Sequence, residues 1–526
     1  MTVNSLSFLI FFSIMVLIYY LPAVRKYQWV VLLIASYLFY MSAGIKSVIY
    51  ILAATVTTYF TARSAGKLCE EKRGFLQQEN NQACDVKAYK EQNKKRRNRV
   101  VLCEVIINIG ILVMVKYMNF FIDNLNLVAD KISPLHLNNV SLIVPLGISY
   151  YTLQSIGYVI DVSKGKAAWE KNFFKTALFI TYFPQITQGP IGRFKHLSKQ
   201  LFASREFSYH NLSYGCQRLL WGFFKKTVIA DRIKPLTDTI FLNYHEYSGF
   251  TILLGLMYFS IQVYADFSGY MDIIGGCSDI LGIRVAENFK RPFFSKSLAE
   301  YWRRWHITLG EWFRDYLFYP LSLSKKATSF GRKGRKILPV RIAKLLPSVY
   351  ALSIVWFATG FWHDASWRYI LWGVCNGMII ISSTCFEDDY KRLKKVFHIK
   401  DESKAWQVFC MCRTFLLVSL LKVFSAAVST VDSLQMIKKI ITGLSPRLTY
   451  ALCFPEMKKS HLVYILFGLC IFFVISYLQE KHEVRDLLSK KPFIVRWLLY
   501  SILLFSILSF GVLTTDMPGG FEYAQY

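Results

Sequence analysis

Leu6-Ser7-Phe8-Leu9-Ile10-Phe11-Phe12-Ser13-Ile14-Met15-Val16-Leu17-Ile18-Tyr19-Tyr20-Leu21 is the stretch on which the fold class turns. It suits either a cleaved secretory leader or a first membrane helix. No basic residue precedes it, no A-x-A-like cleavage site follows, and more apolar runs begin at once. It therefore reads as a retained helix. Working outward, runs long enough to span, or nearly so, fall near 6–22, 28–44, 47–62, 100–122, 141–160, 347–363, 367–386, 405–427, 461–479 and 493–514. Between about 173 and 320 the apolar sequence is interrupted by Pro184, Pro190, Pro235, Pro292 and many glycines. That region reads as re-entrant or tilted helices inside a protein-walled cavity, where irregular backbone is tolerated at membrane depth.

Composition agrees with an all-α, polytopic membrane protein forming one domain over 1–526. Hydrophobic residues make up 54% and aromatic residues 16%, while charged residues are only 18%, against about 25% in soluble domains. The net charge of +29 comes without zinc-finger spacing or an aromatic-basic groove, which argues against nucleic acid as a partner. Its cations fall between apolar runs, where they set topology and meet anionic lipid headgroups. The eleven cysteines are scattered, with Cys410 and Cys412 forming only a C-x-C pair, so neither a metal site nor a disulfide framework is expected.

Charge placement orients the chain. Residues 63–99 hold eleven Lys/Arg against five Asp/Glu, and 325–344 hold eight basic residues and no acidic one. Loops at 63–99 and 323–346 are thus expected on the cytoplasmic side of the membrane. Counting spans outward places both termini and a loop at 429–460 outside, and Lys481–Lys491 inside. The span at 405–427 carries Arg413 and Lys422, which must snorkel or find internal partners. No repeat of 20–50 residues is evident. Cys69–Lys95 is polar and reads as a surface helix or loop.

Of nine histidines, His306 and His363 lie in aromatic, apolar sequence, each beside a tryptophan: Tyr301-Trp302-Arg303-Arg304-Trp305-His306 and Gly360-Phe361-Trp362-His363. Burying ionisable groups there is costly, which points to proton-transfer chemistry. Imidazole ordinarily titrates near about 6.5, and an apolar site favours the neutral form that can accept a proton from an attacking hydroxyl. The competing reading is a hydrogen-bonded structural histidine. Ser297–Leu317 holds no proline and only Gly310, so one helix is expected, with Trp302 and His306 on one face. Trp367 and Trp372 are expected in or near the aromatic belt. Asp266, Tyr270 and Asp272 belong to Tyr264-Ala265-Asp266-Phe267-Ser268-Gly269-Tyr270-Met271-Asp272, where hydrogen-bonded scaffolding competes with a role in chemistry. No G-x-S-x-G elbow, H-E-x-x-H helix or phosphate-binding loop occurs.

At these residues the chain resembles the membrane-bound O-acyltransferase family. The likeness is closest to its bacterial branch, which includes proteins of alginate O-acetylation and of teichoic-acid D-alanyl transfer. It covers Pro145-Leu146-Gly147-Ile148-Ser149-Tyr150-Tyr151, Phe183-Pro184-Gln185 with Gly189-Pro190-Ile191, Asp266–Tyr270, Trp302–His306, Trp312-x-Arg314-Asp315-Tyr316-Leu317 and Phe361-Trp362-His363-x-Ala365-Ser366-Trp367. The resemblance implies helices ringing a transmembrane tunnel, with His363 as catalytic histidine and His306 as the second characteristic one. Trp302, Trp305, Trp362, Asp266, Tyr270 and Asp272 would line the substrate path. No permanently bound cofactor is implied. The donor would be acetyl-CoA or an acyl-carrier thioester drawn to the basic cytoplasmic side, and the acceptor an exported polysaccharide. An extracytoplasmic SGNH-like acyltransferase partner is implied too, with 429–460 and Phe521–Tyr526 as docking candidates. Asp364 stands where relatives carry Gly, Asn376 where they often carry His, and an arginine is missing near Val423-Phe424-Ser425-Ala426. D-alanyl transfer, a transporter or flippase with a midplane site at Asp266 and Asp272, and an inactive scaffold are the alternatives.

Overall fold

A computed structural model of the chain describes residues 1–77, 83–129, 136–443, 455 and 457–512. Among the described residues every regular element is helical, apart from a single antiparallel bridge between Phe289 and Trp305. Seven helices are long and apolar enough to cross a membrane, or up to nine if each of two bent pairs counts as one span. The chain is thus a polytopic, all-α membrane protein. Its packing forms two compact units, Met1–Gly215 with Ile274–Ala286, and Cys216–Ile273 with Glu287–Tyr526.

The first unit contains α1 (Leu6–Tyr19), α2 (Gln28–Met41), α3 (Val48–Leu76), α4 (Ala83–Leu112) and α5 (Ile148–Ser163). The Ser5 hydroxyl caps α1 by accepting the Phe8 N–H at 3.2 Å. Leu21 is extended and Pro22 opens a new helical turn, so α1 and the helical segment Pro22–Met41 meet at a 97° bend. The separate spans expected at 6–22 and 28–44 are therefore a bent pair. Ala54, Thr55, Thr58, Ala62 and Ala65 make a stripe of small buried residues along α3, against which α4 packs. There the buried Glu104 carboxylate accepts from Thr58 at 2.8 Å and Thr61 at 2.9 Å. The expected span at 141–160 is shorter, because helix begins only at Ile148. Gly147 precedes it at φ 70°, with the Ile186 carbonyl where a side chain would stand. Two of the motifs noted above thus meet backbone to backbone.

The second unit takes α6 (Tyr209–Phe223) from Cys216 onward and α7 (Gly249–Ile280) as far as Ile273. It continues with α8 (Leu298–Arg304), α9 (Ile307–Phe313), α10 (Val340–His363), α11 (Trp367–Cys385), α12 (Lys404–Leu421), α13 (Thr430–Thr442), α14 (Lys459–Gln479) and α15 (Phe493–Phe510). The 32-residue α7 corrects the expectation of broken helices throughout 173–320. No proline lies between Pro235 and Pro292, and its glycines bring neighbouring backbone close without ending the helix. Short pieces do occur on either side of it, at Phe173–Thr181, Phe183–Ile186 and Phe194–Leu201, and again from Pro292 to Ser322.

The basic segments are not loops. Residues 63–99 are helical on both sides of 78–82, as ends of α3 and α4, and Lys325–Gly334 is a helix capped by Ser324. Ser429 and Asp432 form a capping box that starts α13 within the expected outer loop. Most of 444–456 and all of Phe521–Tyr526 lie outside the described residues.

Candidate active site

His363 is the last residue of α10, and the next three residues turn the chain into α11. The two helices approach closely at Gly360 and Gly373. A Cβ on Gly360 would meet the Tyr369 carbonyl oxygen at 2.4 Å, and one on Gly373 the Trp356 oxygen at 2.4 Å. That approach wraps His363 in rings. Its centroid is 5.0 Å from Trp362, 5.2 Å from Trp372 and 6.2 Å from Tyr369. Trp372, placed in the aromatic belt by sequence, is instead buried beside this imidazole.

Ser297–Leu317 is not one helix. After α8 the chain leaves helical geometry at Trp305, and His306 takes φ 47° in the left-handed region before α9 starts. The cause is a hydrogen-bond exchange with residues 288–290. The Lys290 N–H donates to the Arg304 carbonyl at 2.9 Å, and the Ile307 N–H to the Asn288 carbonyl at 3.0 Å. The Asn288 side chain also accepts the Thr308 hydroxyl at 2.6 Å. Trp302 and His306 consequently do not share a helix face. Trp302 goes to Trp356 and Trp372, while His306 lies buried 5.1 Å from the Phe267 ring.

The Trp362 indole joins the two histidines. Its centroid is 6.1 Å from His306 and 5.0 Å from His363, so the imidazole centroids are at most about 11 Å apart. His363 borders a cavity of about 30 Å³ walled by Trp302, Trp305, Tyr369, Trp372, Phe259 and Val263, with Lys422 and Ser425 also on its surface. A volume near 30 Å³ is roughly that of one water, enough for a single hydroxyl-sized group. The Lys422 ammonium lies over the Trp305 ring at 5.0 Å and over Phe259 at 5.9 Å. Sequence flagged this lysine only as a liability within its span; its facing Trp305 is a tertiary fact. The other cation of that span, Arg413, donates to the Lys296 carbonyl at 2.9 Å.

Two of the departures noted in sequence, Asn376 and Asp364, have definite places. The Asn376 carbonyl oxygen accepts the Trp302 indole N–H at 3.1 Å, and its amide donates to the Trp372 carbonyl at 2.8 Å. Asn376 thereby ties together two walls of the His363 cavity. Asp364 ion-pairs with Arg368 at 3.8 Å. Arg314 bonds its neighbour Asp315 at 3.0 Å on the surface.

The intramembrane carboxylates are bound to cations. Asp266 pairs with Lys226 at 2.8 Å, and Lys226 also holds Asp231 at 2.9 Å. Asp272 pairs with Lys225 at 2.6 Å and Arg218 at 3.0 Å. Sequence reasoning missed these lysines, although Lys225-Lys226 is a paired charge inside apolar sequence, the natural complement of two buried acids. Tyr270 is wholly buried in the packing of α7. Asp272 also faces a second, larger cavity of about 550 Å³ against α14 and α15. Among the described residues no group of three or more His, Cys, Asp or Glu is arranged to hold a metal.

Residues 170–332 match the model of the membrane-bound O-acyltransferase family, a range that includes His306 and ends before His363. The chain is 32% identical over 417 residues to Probable alginate O-acetylase AlgI of Pseudomonas syringae pv. tomato, covering 79% of this chain and 70% of that one. It is 26% identical over 440 residues to a peptidoglycan O-acetyltransferase of Helicobacter pylori, covering 78% and 73%. A teichoic acid D-alanyltransferase of Streptococcus thermophilus matches at 29% over 295 residues, covering 55% and 67%.

Proposed function

Since this chain belongs to the membrane-bound O-acyltransferase family and is an O-acyltransferase, we propose that it transfers acetyl across the membrane for O-acetylation of an exported cell-surface polysaccharide, with His363 as general base toward the accepting hydroxyl. The observation that carries this reading is the enclosure of His363 at a hydroxyl-sized cavity, beside a cation and one indole from His306. In the proposed step the acceptor oxygen attacks the thioester carbonyl and forms the new C–O bond. His363 takes the hydroxyl proton, the C–S bond breaks, and the proton returns to the thiolate. The Lys422 ammonium stabilises negative charge on the carbonyl oxygen. His306 takes part from its place 6.1 Å from Trp362, where a backbone reversal holds it.

Acetyl-CoA or a carrier-bound acetyl thioester is the proposed donor, reaching the site from the cytoplasmic side that the basic segments mark. The termini are proposed to lie outside, and an extracytoplasmic SGNH-like acyltransferase to receive the group for the polysaccharide. The two relatives above that match more than three quarters of this chain carry acetyl chemistry in their names, which favours acetyl over D-alanyl.

The test is replacement of His363 by Ala or Gln in the producing cell, followed by alkaline release of acetate from surface polysaccharide. Loss of ester acetate with normal levels of membrane protein is expected. Wild-type acetate from either variant refutes the role of His363. Incubating membranes with labelled acetyl-CoA, or with a charged carrier protein, identifies the donor by which label reaches product.

A further inference from the structure

No step above uses the 550 Å³ cavity that Asp272 faces, whose volume is that of a ligand site, roughly 300–1,000 Å³. Its lining changes character along its length. Val495, Leu499, Ile502, Leu503 and Ser506 run down one face of α15. From the first to the last of these the helix rises about 16 Å. Ile471, Phe472 and Ile475 of α14 extend the same apolar surface. At the connection between α14 and α15 the lining becomes charged, with Arg485 and Lys491 against Glu483. Arg291 joins them, ion-paired with Glu480 at 2.7 Å. Counted over the whole lining, five basic side chains stand against three acidic ones.

A long apolar slot ending at Arg291, Arg485 and Lys491 fits an amphiphile with one anionic head and a hydrocarbon chain. We propose that the cavity binds an anionic phospholipid. Its phosphodiester lies at Arg291, Arg485 and Lys491, and one acyl chain runs along α15 and α14. The lipid comes from the leaflet that holds the α14–α15 connection. A nucleotide thioester fits poorly, because its polar body would lie desolvated against Leu499 and Ile502. This inference stands independently of the acyl-transfer reading, since none of the residues named touches the His363 cavity.

Native mass spectrometry of the purified full chain, offered equal dioleoyl-phosphatidylglycerol and dioleoyl-phosphatidylcholine, tests it. One phosphatidylglycerol retained per chain, in preference to the neutral lipid, is expected. Arg485→Gln and Lys491→Gln at the mouth should each lower retention about fivefold. Ile502→Trp should fill the slot and abolish retention without changing helical content or melting temperature. If Ile502→Trp folds poorly, the two mouth variants decide. Equal retention of both lipids, no retention, or wild-type retention by the mouth or slot variants overturns the proposal. Displacement by acetyl-CoA would make the cavity a donor compartment, and displacement by chain-free glycerol phosphate a bare anion site; either overturns it too.

Discussion

The Lys422 ammonium lies 5.0 Å from the centre of the Trp305 indole, on the wall of the cavity that His363 borders. A cation held against a ring face in a partly buried, aromatic-walled site is screened less than one in bulk water. If it stabilises charge during transfer, Lys422→Met should lower ester acetate formation on the order of a hundredfold. Lys422→Arg should retain most activity. The measurement is acetate incorporation per unit of membrane-inserted protein, and a fully active Met variant would remove Lys422 from the mechanism.

His306 allows backbone shape and side-chain chemistry to be separated. Asn tolerates the left-handed conformation that His306 occupies, whereas Val does not. His306→Asn should fold with an unchanged melting temperature and lose transfer. His306→Val should in addition be destabilised by roughly 1–2 kcal/mol. Thermal unfolding in detergent, run beside the acetate assay, distinguishes the two effects.

Asp272 holds two cations at once, Lys225 and Arg218. Asp272→Leu would leave the buried Lys225 and the half-buried Arg218 without a counter-charge, at a loss of roughly 3 kcal/mol. The double variant Asp272→Leu with Lys225→Met should recover part of that, since one stranded charge is removed. A double variant no more stable than the single one would argue against the pair as a structural clamp.

Asn376 supplies the acceptor for the Trp302 indole. Asn376→Leu leaves that half-buried donor unpaired, costing about 1 kcal/mol, and should loosen the Trp302 wall and slow transfer. Asn376→His, whose ring nitrogen can accept, should restore both. Trp302 fluorescence isolated in a background of other Trp→Phe changes would report the wall directly.

Much of this was legible in the chain, for physical reasons that differ by residue. His306 and His363 stood out because imidazoles are rare in aromatic, apolar surroundings; Trp362 does lie beside His363, but the rings beside His306 are Phe267 and Trp362 rather than Trp302. The break between Trp305 and His306 was not legible, because it is driven by hydrogen bonds to Asn288 and Lys290, more than a dozen residues away. Helical periodicity alone favoured an unbroken α8–α9. The continuity of α7 was hidden for the opposite reason: its glycines look like interruptions until close neighbours make them packing sites. Lys225 and Lys226 were overlooked since charge was counted in loops, whereas these two are buried at 4% and 2% exposure.

The reversal at His306 also bears on how loss of this enzyme would look in a cell. Asn fits that backbone as comfortably as His does and keeps a polar group of similar reach, so drift toward it would leave abundance, insertion and assembly untouched. Silent inactivation would be invisible to any survey of expression and would surface only in the chemistry of the product.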